Sequence, residues 1–260
     1  MRIRDRILFL LLAALALVVA GSAQNKTGPD GNPIPLDAAD EPHHSVVLEN
    51  DDVRVLNFEL GPQKMTPLFQ HANDVVEVTL TDADLQVAQG AAAYGNSPPQ
   101  TRTGTPSLRG IARFRYGRQP QVARNSETVT SYRGIEIEVK NPSRQNYNCN
   151  AYDANCVADY SAVPLALERD KGFSQTLDRD TVRITDVQVL PNEEWKSHLG
   201  QLPYLVVAVS ELDLVNASDA DDALTFKAPS AGVQWAPKTF LGSVKNMSDK
   251  PARFVVVELK

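Results

Sequence analysis

The 260-residue chain holds only two cysteines, four histidines and two tryptophans. With no histidine near them and no third cysteine, Cys149 and Cys156 make a poor zinc site. Catalytic signatures are also missing. No G-x-S-x-G segment and no glycine-rich phosphate loop occurs, which removes the nucleophile elbow and the P-loop. Ser230-Ala231-Gly232 reads as a turn before a strand. The acidic pairs Asp221/Asp222 and Glu193/Glu194 lie in loop composition and read as solvated turns. No long basic run offsets the formal charge of −6, so nucleic acid and anionic membrane surfaces are not expected partners.

Long apolar runs are nearly absent. The one exception, Ile7–Gly21, is 15 residues long, short for a membrane span of about 20. It follows the basic start MRIRDR and precedes a small-residue exit, which reads as a Sec-type signal peptide over residues 1–23, cleaved before Gln24. Its removal takes three arginines and one aspartate, leaving 23 basic and 31 acidic side chains and a formal charge of −8. The 237 remaining residues suffice for one large domain or two of ordinary size. Export to a periplasm or beyond favours a disulfide between Cys149 and Cys156, with a two-thiol metal site as the alternative. Asn25, Asn216 and Asn246 stand in N-x-S/T sequons.

What is present is a repeat. DDVRVLNFELGP (51–62) matches DTVRITDVQVLP (180–191) at an offset of 129, and RGIEIEVK (133–140) matches RFVVVELK (253–260) at an offset of 120. Two similar units of about 95 residues imply an internal duplication. In both copies the alternation changes phase, with Val53 and Val55 on one parity and Phe58 and Leu60 on the other, which predicts a β-bulge. Each unit reads as short strands. The first contains SVVLEN, VRVLNFEL, VVEVTL, DLQVA, ARFRY, TVTSY and GIEIEVK. The second contains VRITDVQVL, YLVVAVSE, LDLVN, LTFKA, GVQWAP, GSVKN and RFVVVELK. The expectation is an all-β sandwich or barrel repeated twice. Residues 24–41 read as a flexible leader and 142–168 as a linker carrying both cysteines.

The order of landmarks, from VRVLNFELGP through a buried strand to the closing VELK, resembles that of the cupins, double-stranded β-helices of jelly-roll type. The resemblance spans residues 43–140 and 170–260, implying cupin-like domains over 42–141 and 169–260, an exported bicupin. Cupin metal sites use the patterns G-x5-H-x-H-x3,4-E-x6-G and G-x5-P-x-G-x2-H-x3-N, because alternate strand residues aim two imidazoles into the barrel mouth. Laid on these patterns, the first unit puts Phe69 and His71 at the H-x-H positions, Val75 or Val76 at the glutamate, and Thr128 near the second-motif histidine. Glu77 falls one or two residues further on. In the second unit His198 stands alone, Gly242 takes the histidine position, and Trp235, Pro237 and Asn246 are kept.

The resemblance therefore implies degenerate metal motifs and a non-catalytic, metal-free module that binds a small organic ligand or plays a structural role, with homodimer formation a further expectation. Candidate pocket residues are Phe69, His71, Tyr116 and Thr128 in the first barrel, and Trp195, His198, Tyr204 and Trp235 in the second. The alternative is a metal-dependent oxygenase or isomerase whose rearranged site draws on His43, His44 and His71, with Asp74 or Glu77, to hold an ion such as iron or manganese.

Overall fold

The computed structural model describes residues 27–29, 31–94, 108–141, 161–163, 170–196, 202–216, 225–236 and 242–260. The chain divides into two units, residues 1–34 and 35–260. In the first, Thr27 and Pro33 form an isolated antiparallel bridge. The second is built from short strands. The first half has β1 (Leu36–Asp37), β2 (His44–Glu49), β3 (Val53–Leu60), β4 (Phe69–Gln70), β5 (Asp74–Thr79), β6 (Leu85–Gln89), β7 (Ala112–Arg115), β8 (Gln121–Asn125), β9 (Tyr132–Val139) and β10 (Ser161–Ala162). The second half has β11 (Phe173–Asp178), β12 (Val182–Val189), β13 (Glu194–Lys196), β14 (Tyr204–Ala208), β15 (Leu212–Asn216), β16 (Thr225–Ala228), β17 (Val233–Ala236), β18 (Ser243–Asn246) and β19 (Ala252–Leu259).

Each half closes a six- or five-stranded sheet over a four-stranded one. The orders are β10-β7-β5-β9-β3-β2 with β1-β4-β8-β6, then β11-β12-β19-β14-β17 with β13-β18-β15-β16. The predicted duplication is visible in the pairing. β3 runs against β9 from Val53↔Val139 to Leu60↔Tyr132, and β12 against β19 from Val182↔Leu259 to Val189↔Ala252.

No register shift interrupts either of these ladders, which corrects the bulge expected from the change of phase. The phase changes because the buried face changes. At the start of each strand, Val53, Val55, Val182 and Ile184 point outward into a core shared by both barrels, with Phe114, Ile137, Leu205 and Val257. Further along, Phe58 and Leu60 turn into the first barrel beside Tyr132, and Val187 and Val189 into the second beside Tyr204 and Phe254. Burying a large aliphatic side chain stabilises by roughly 1.5–3 kcal/mol, so the shared core fuses the barrels into one unit. A bulge does occur in β2, between Val46 and Leu48.

A polar latch reinforces that seam. Arg253 on β19 donates to the carbonyls of Arg109 (3.0 Å) and Gly110 (3.1 Å) and to Asp186 Oδ2 (2.8 Å). Arg109 returns a bond to the Val209 carbonyl (2.6 Å). Gly110 has φ +82°, and a Cβ there would stand 2.2 Å from the Arg253 guanidinium carbon, so only glycine fits.

Three boundaries differ from those expected. Residues 35–41, read as leader, belong to the first barrel. β1 pairs in parallel with β4, and Ala38 is fully buried against Leu56 and Phe69. Two of its carboxylates hold cations of the barrel, Asp37 pairing with Arg54 and Glu41 with His44. In the expected linker, β10 adds to the edge of β7 and Val163 joins the shared core. The expected strand TVTSY is a bend with Val129 83% exposed that ends where β9 begins at Tyr132; β1, β4, β8, β10, β11 and β13 are the strands not anticipated. Asn246 is a buried cap whose amide donates to the carbonyls of Val189 (3.0 Å) and Lys250 (2.7 Å), so its sequon is not accessible to a glycan.

Candidate functional site

Directly paired residues of neighbouring strands face the same side of a sheet. Pairing of β3, β9, β5 and β7 therefore sets two rows across the inner wall of the first barrel: Arg54, Glu138, Val75 and Arg115, then Leu56, Glu136, Glu77 and Arg113. The four-stranded sheet opposite contributes Phe69 and Gln121, paired between β4 and β8. His71 follows β4 and His44 begins β2, opposite Phe58.

Two imidazoles meet on one carboxylate. His44 Nε2 lies 2.9 Å and His71 Nε2 3.1 Å from the same atom, Glu136 Oε2. The other nitrogen of each ring is held by a second carboxylate: His44 Nδ1 by Glu41 Oε2 at 2.5 Å, His71 Nδ1 by Glu138 Oε1 at 2.8 Å. Arg115 Nη2 donates to Glu136 Oε1 at 2.5 Å and lies 3.0 Å from His71 Nε2. Its Nη1 donates to Gln121 Oε1. Arg54 anchors Glu138 through Nε (2.8 Å) and reaches Asp37 at the rim through Nη2 (2.7 Å). Beside this network Tyr132 donates to Glu77 Oε1 at 2.6 Å, with Arg113 3.6 Å from the same oxygen.

All of the central groups are buried: Glu41, Glu138, Glu136, His71, Arg115 and His44 are at most 7% exposed. Burial pulls the His44 imidazole down, yet its hydrogen bonds to Glu136 and Glu41 and their charges prevail, raising its pKa from 6.5 to about 9. Burial pushes the Glu136 carboxyl up, but the charges of His71 and Arg115 and the two imidazole hydrogen bonds hold it well below the usual range. Burial and the Glu77 charge put the Tyr132 hydroxyl well above 10.

His44, His71 and Glu136 each offer one ligand atom, and these lie within 4.8 Å of one another. The donor chemistry fits a transition metal: two imidazoles and one carboxylate, each imidazole oriented by a carboxylate at its far nitrogen. Arg115 occupies the opposite Glu136 oxygen and leaves Oε2 to the ligand set.

Of the rearranged set expected from sequence, His44 and His71 come together. His43 does not: it is half-buried and its backbone N–H donates to Glu41 Oε2 (2.9 Å). Glu77 faces the interior but is taken by Tyr132, and Asp74 accepts from the Gly117 N–H (3.1 Å). The pocket residues do not form one lining. Phe69 packs against His44 and His71, at ring centroid distances of 4.9 and 5.7 Å. Tyr116 stands edge-on to Phe114 at the shared core, where Trp235 also packs, and Thr128 is exposed in the turn after β8. Tyr204 and Trp195 belong to the apolar core of the second barrel. His198, Cys149 and Cys156 lie outside the described residues.

No protein-family model and no curated protein matches the sequence. Solved structures do match. YhaK from Escherichia coli aligns at TM-score 0.53 and 10% identity over 83% of this chain and 90% of its own. Procruciferin, an 11S globulin from Brassica napus, aligns at 0.55 and 9% over 80% and 76%. The R92A mutant of Bacillus subtilis oxalate decarboxylase aligns at 0.52 and 12% over 80% and 69%. The fold is two tandem cupin-type jelly-roll barrels. An enzyme and a globulin share it, so function is read from the site and not from the likeness.

Within this bicupin fold the second barrel is an internal comparison. By strand register His44 corresponds to Ser174, Glu77 to Val206, Arg115 to Ala236 and Glu136 to Val256. Arg54 and Glu138 recur as Arg183 and Glu258, 3.5 Å apart. Asn125 recurs as Asn246, each bridging two backbone carbonyls. That match puts Gln121, four residues before Asn125, where Gly242 stands before Asn246, and so replaces Thr128 at the H-x3-N histidine position. Glu41, Arg54, Arg115, Gln121, Glu136 and Glu138 were not anticipated; comparing GIEIEVK with RFVVVELK was the signal that marks Glu136.

Proposed function

We propose that the first barrel is a metal site, with His44 Nε2, His71 Nε2 and Glu136 Oε2 binding a divalent transition ion such as iron or manganese, and that the protein is an exported bicupin acting on or holding a small organic ligand there. The observation that carries this reading is the convergence of both Nε2 atoms on one carboxylate oxygen, each ring being braced at Nδ1 by Glu41 or Glu138. A bound ion would supply Lewis acidity and open positions for ligand oxygens. The chain's own residues do the rest. Glu41 and Glu138 fix the imidazole orientations, Arg115 holds the second Glu136 oxygen, and Phe69 and Leu56 wall the site with apolar surface. The second barrel, which keeps the Arg183–Glu258 pair but has Ser174, Ala236 and Val256 in place of His44, Arg115 and Glu136, serves as a structural twin.

The contact of Arg115 Nη2 with His71 Nε2 favours a second reading, a metal-free binding module in which the His44 imidazolium supplies the central cation. Metal analysis of protein purified without chelator separates the two. One equivalent of a transition metal, lost in His71→Ala, is the expected result; wild-type protein with no metal above background, even after incubation with iron or manganese salts, refutes the metal reading.

A further inference from the structure

We propose that Gln121 is a ligand-binding residue and that the molecule it holds is a small carboxylate; this rests on the metal reading above. Gln121 is 2% exposed, on β8 opposite Phe69. Its Oε1 accepts from Arg115 Nη1 and from Gln89 Nε2 (3.2 Å). A guanidinium only donates, so the amide is oriented without ambiguity: the oxygen faces Arg115 and the NH2 faces away from it. That NH2 has no hydrogen-bond partner among the described residues. A buried donor left without an acceptor is costly, and native interiors rarely keep one without a purpose.

The missing partner is an oxygen acceptor. Gln121 is linked through one side chain, Arg115, to the metal donors Glu136 and His71. Three protein donors leave positions on the ion open. A carboxylate has two oxygens, one for the ion and one for the amide, and its charge suits the neighbouring guanidinium. An ammonium group, itself a donor, could not accept from the amide NH2. Glu41 Oε1, also buried without a hydrogen-bond partner, is an acceptor; its carboxylate holds the Nδ1 side of His44, so it does not compete for the same molecule.

The test uses the full chain loaded with Co2+, whose visible spectrum reports ligand exchange at the ion, titrated with acetate, pyruvate and the neutral acetamide, with calorimetry in parallel. Acetate or pyruvate binds and shifts the cobalt bands, and acetamide does not. Gln121→Glu, which swaps the donor for an acceptor and keeps an oxygen for Arg115, and Gln121→Met, which removes the donor without adding charge but lowers the melting temperature by also removing the acceptor of Arg115, both still take up Co2+ but weaken carboxylate binding about tenfold or more. Equal carboxylate affinity in both variants and wild type, or no preference over acetamide, overturns the role of Gln121 and leaves the metal site standing. Failure of the wild type to take up Co2+ overturns the metal reading itself, and the carboxylate proposal with it.

Discussion

The His44 proton gives the metal-free protein a pH signature with a definite sign. His44 rises from 6.5 in the unfolded chain to about 9 in the fold. A difference of about 2.5 units at about 1.4 kcal/mol each amounts to about 3 kcal/mol. Because the folded value is the higher one, this stability is fully present below about pH 6.5 and disappears as pH climbs through 9. Glu136 has the opposite sense: its folded value is depressed, so its contribution is present above the usual carboxylate range and is lost on acidification. In chelator, stability should peak between about pH 5 and 6.5 and fall by about 3 kcal/mol by about pH 10, a shift of about 1 M in the urea midpoint. A metal needs the Nε2 lone pair, so the stabilisation it adds should grow over that range as the proton is released. The assay is urea unfolding at pH 6 and pH 10, with chelator and with metal, on wild type and His44→Gln. A flat wild-type profile in chelator, or a loss of the same size in His44→Gln, refutes the assignment of a doubly held imidazolium at His44.

The second barrel suggests the most direct substitution in the first. Glu136→Val copies Val256, removes the carboxylate shared by His44, His71 and Arg115, and should cost about 3–5 kcal/mol in the metal-free protein by leaving buried cations unopposed; chemical denaturation measures it, and metal content falls with it. Arg54→Met should cost more than Arg183→Met: both partners, Glu138 and Glu258, are buried, but Arg54 is 15% exposed and 2.7 Å from its carboxylate, whereas Arg183 is 36% exposed and 3.5 Å away, and urea unfolding of the two variants measures the difference. Gly110→Ala forces a Cβ into the Arg253 guanidinium at a positive φ and should lower stability by about 1–3 kcal/mol without changing metal uptake, seen as a lowered melting temperature.

Much of the architecture was legible because duplication is a pattern in the chain itself. Offsets of 129 and 120 align β3 with β12 and β9 with β19, and the observed pairing keeps that alignment. The phase change along VRVLNFEL was also legible, but a bulge and a change of buried face write the same parity signal. Only the presence of a second barrel against Val53 and Val55 decides between them.

The site was legible in part, and the failure has a physical cause. GIEIEVK alternates as a half-solvated strand does, with glutamates outward and isoleucines inward. In the bicupin both faces of β9 are buried: Ile135 and Ile137 pack against the second barrel, and Glu136 and Glu138 turn into the first. Period-two polarity reports which face is polar, not which face is wet. The second copy supplies the distinction, since RFVVVELK keeps Glu258 for its arginine and has Val256 at the register position of Glu136. Glu138 alone is therefore consistent with structure, because its pair with Arg54 recurs as Glu258 with Arg183. Glu136, His44 and Arg115 recur nowhere, and burying them costs more than the valine, serine and alanine that replace them. The same chain holds, in Val256, Ser174 and Ala236, an uncharged alternative at these three positions, and retention of the charged set in the first barrel is what the proposed metal site would account for.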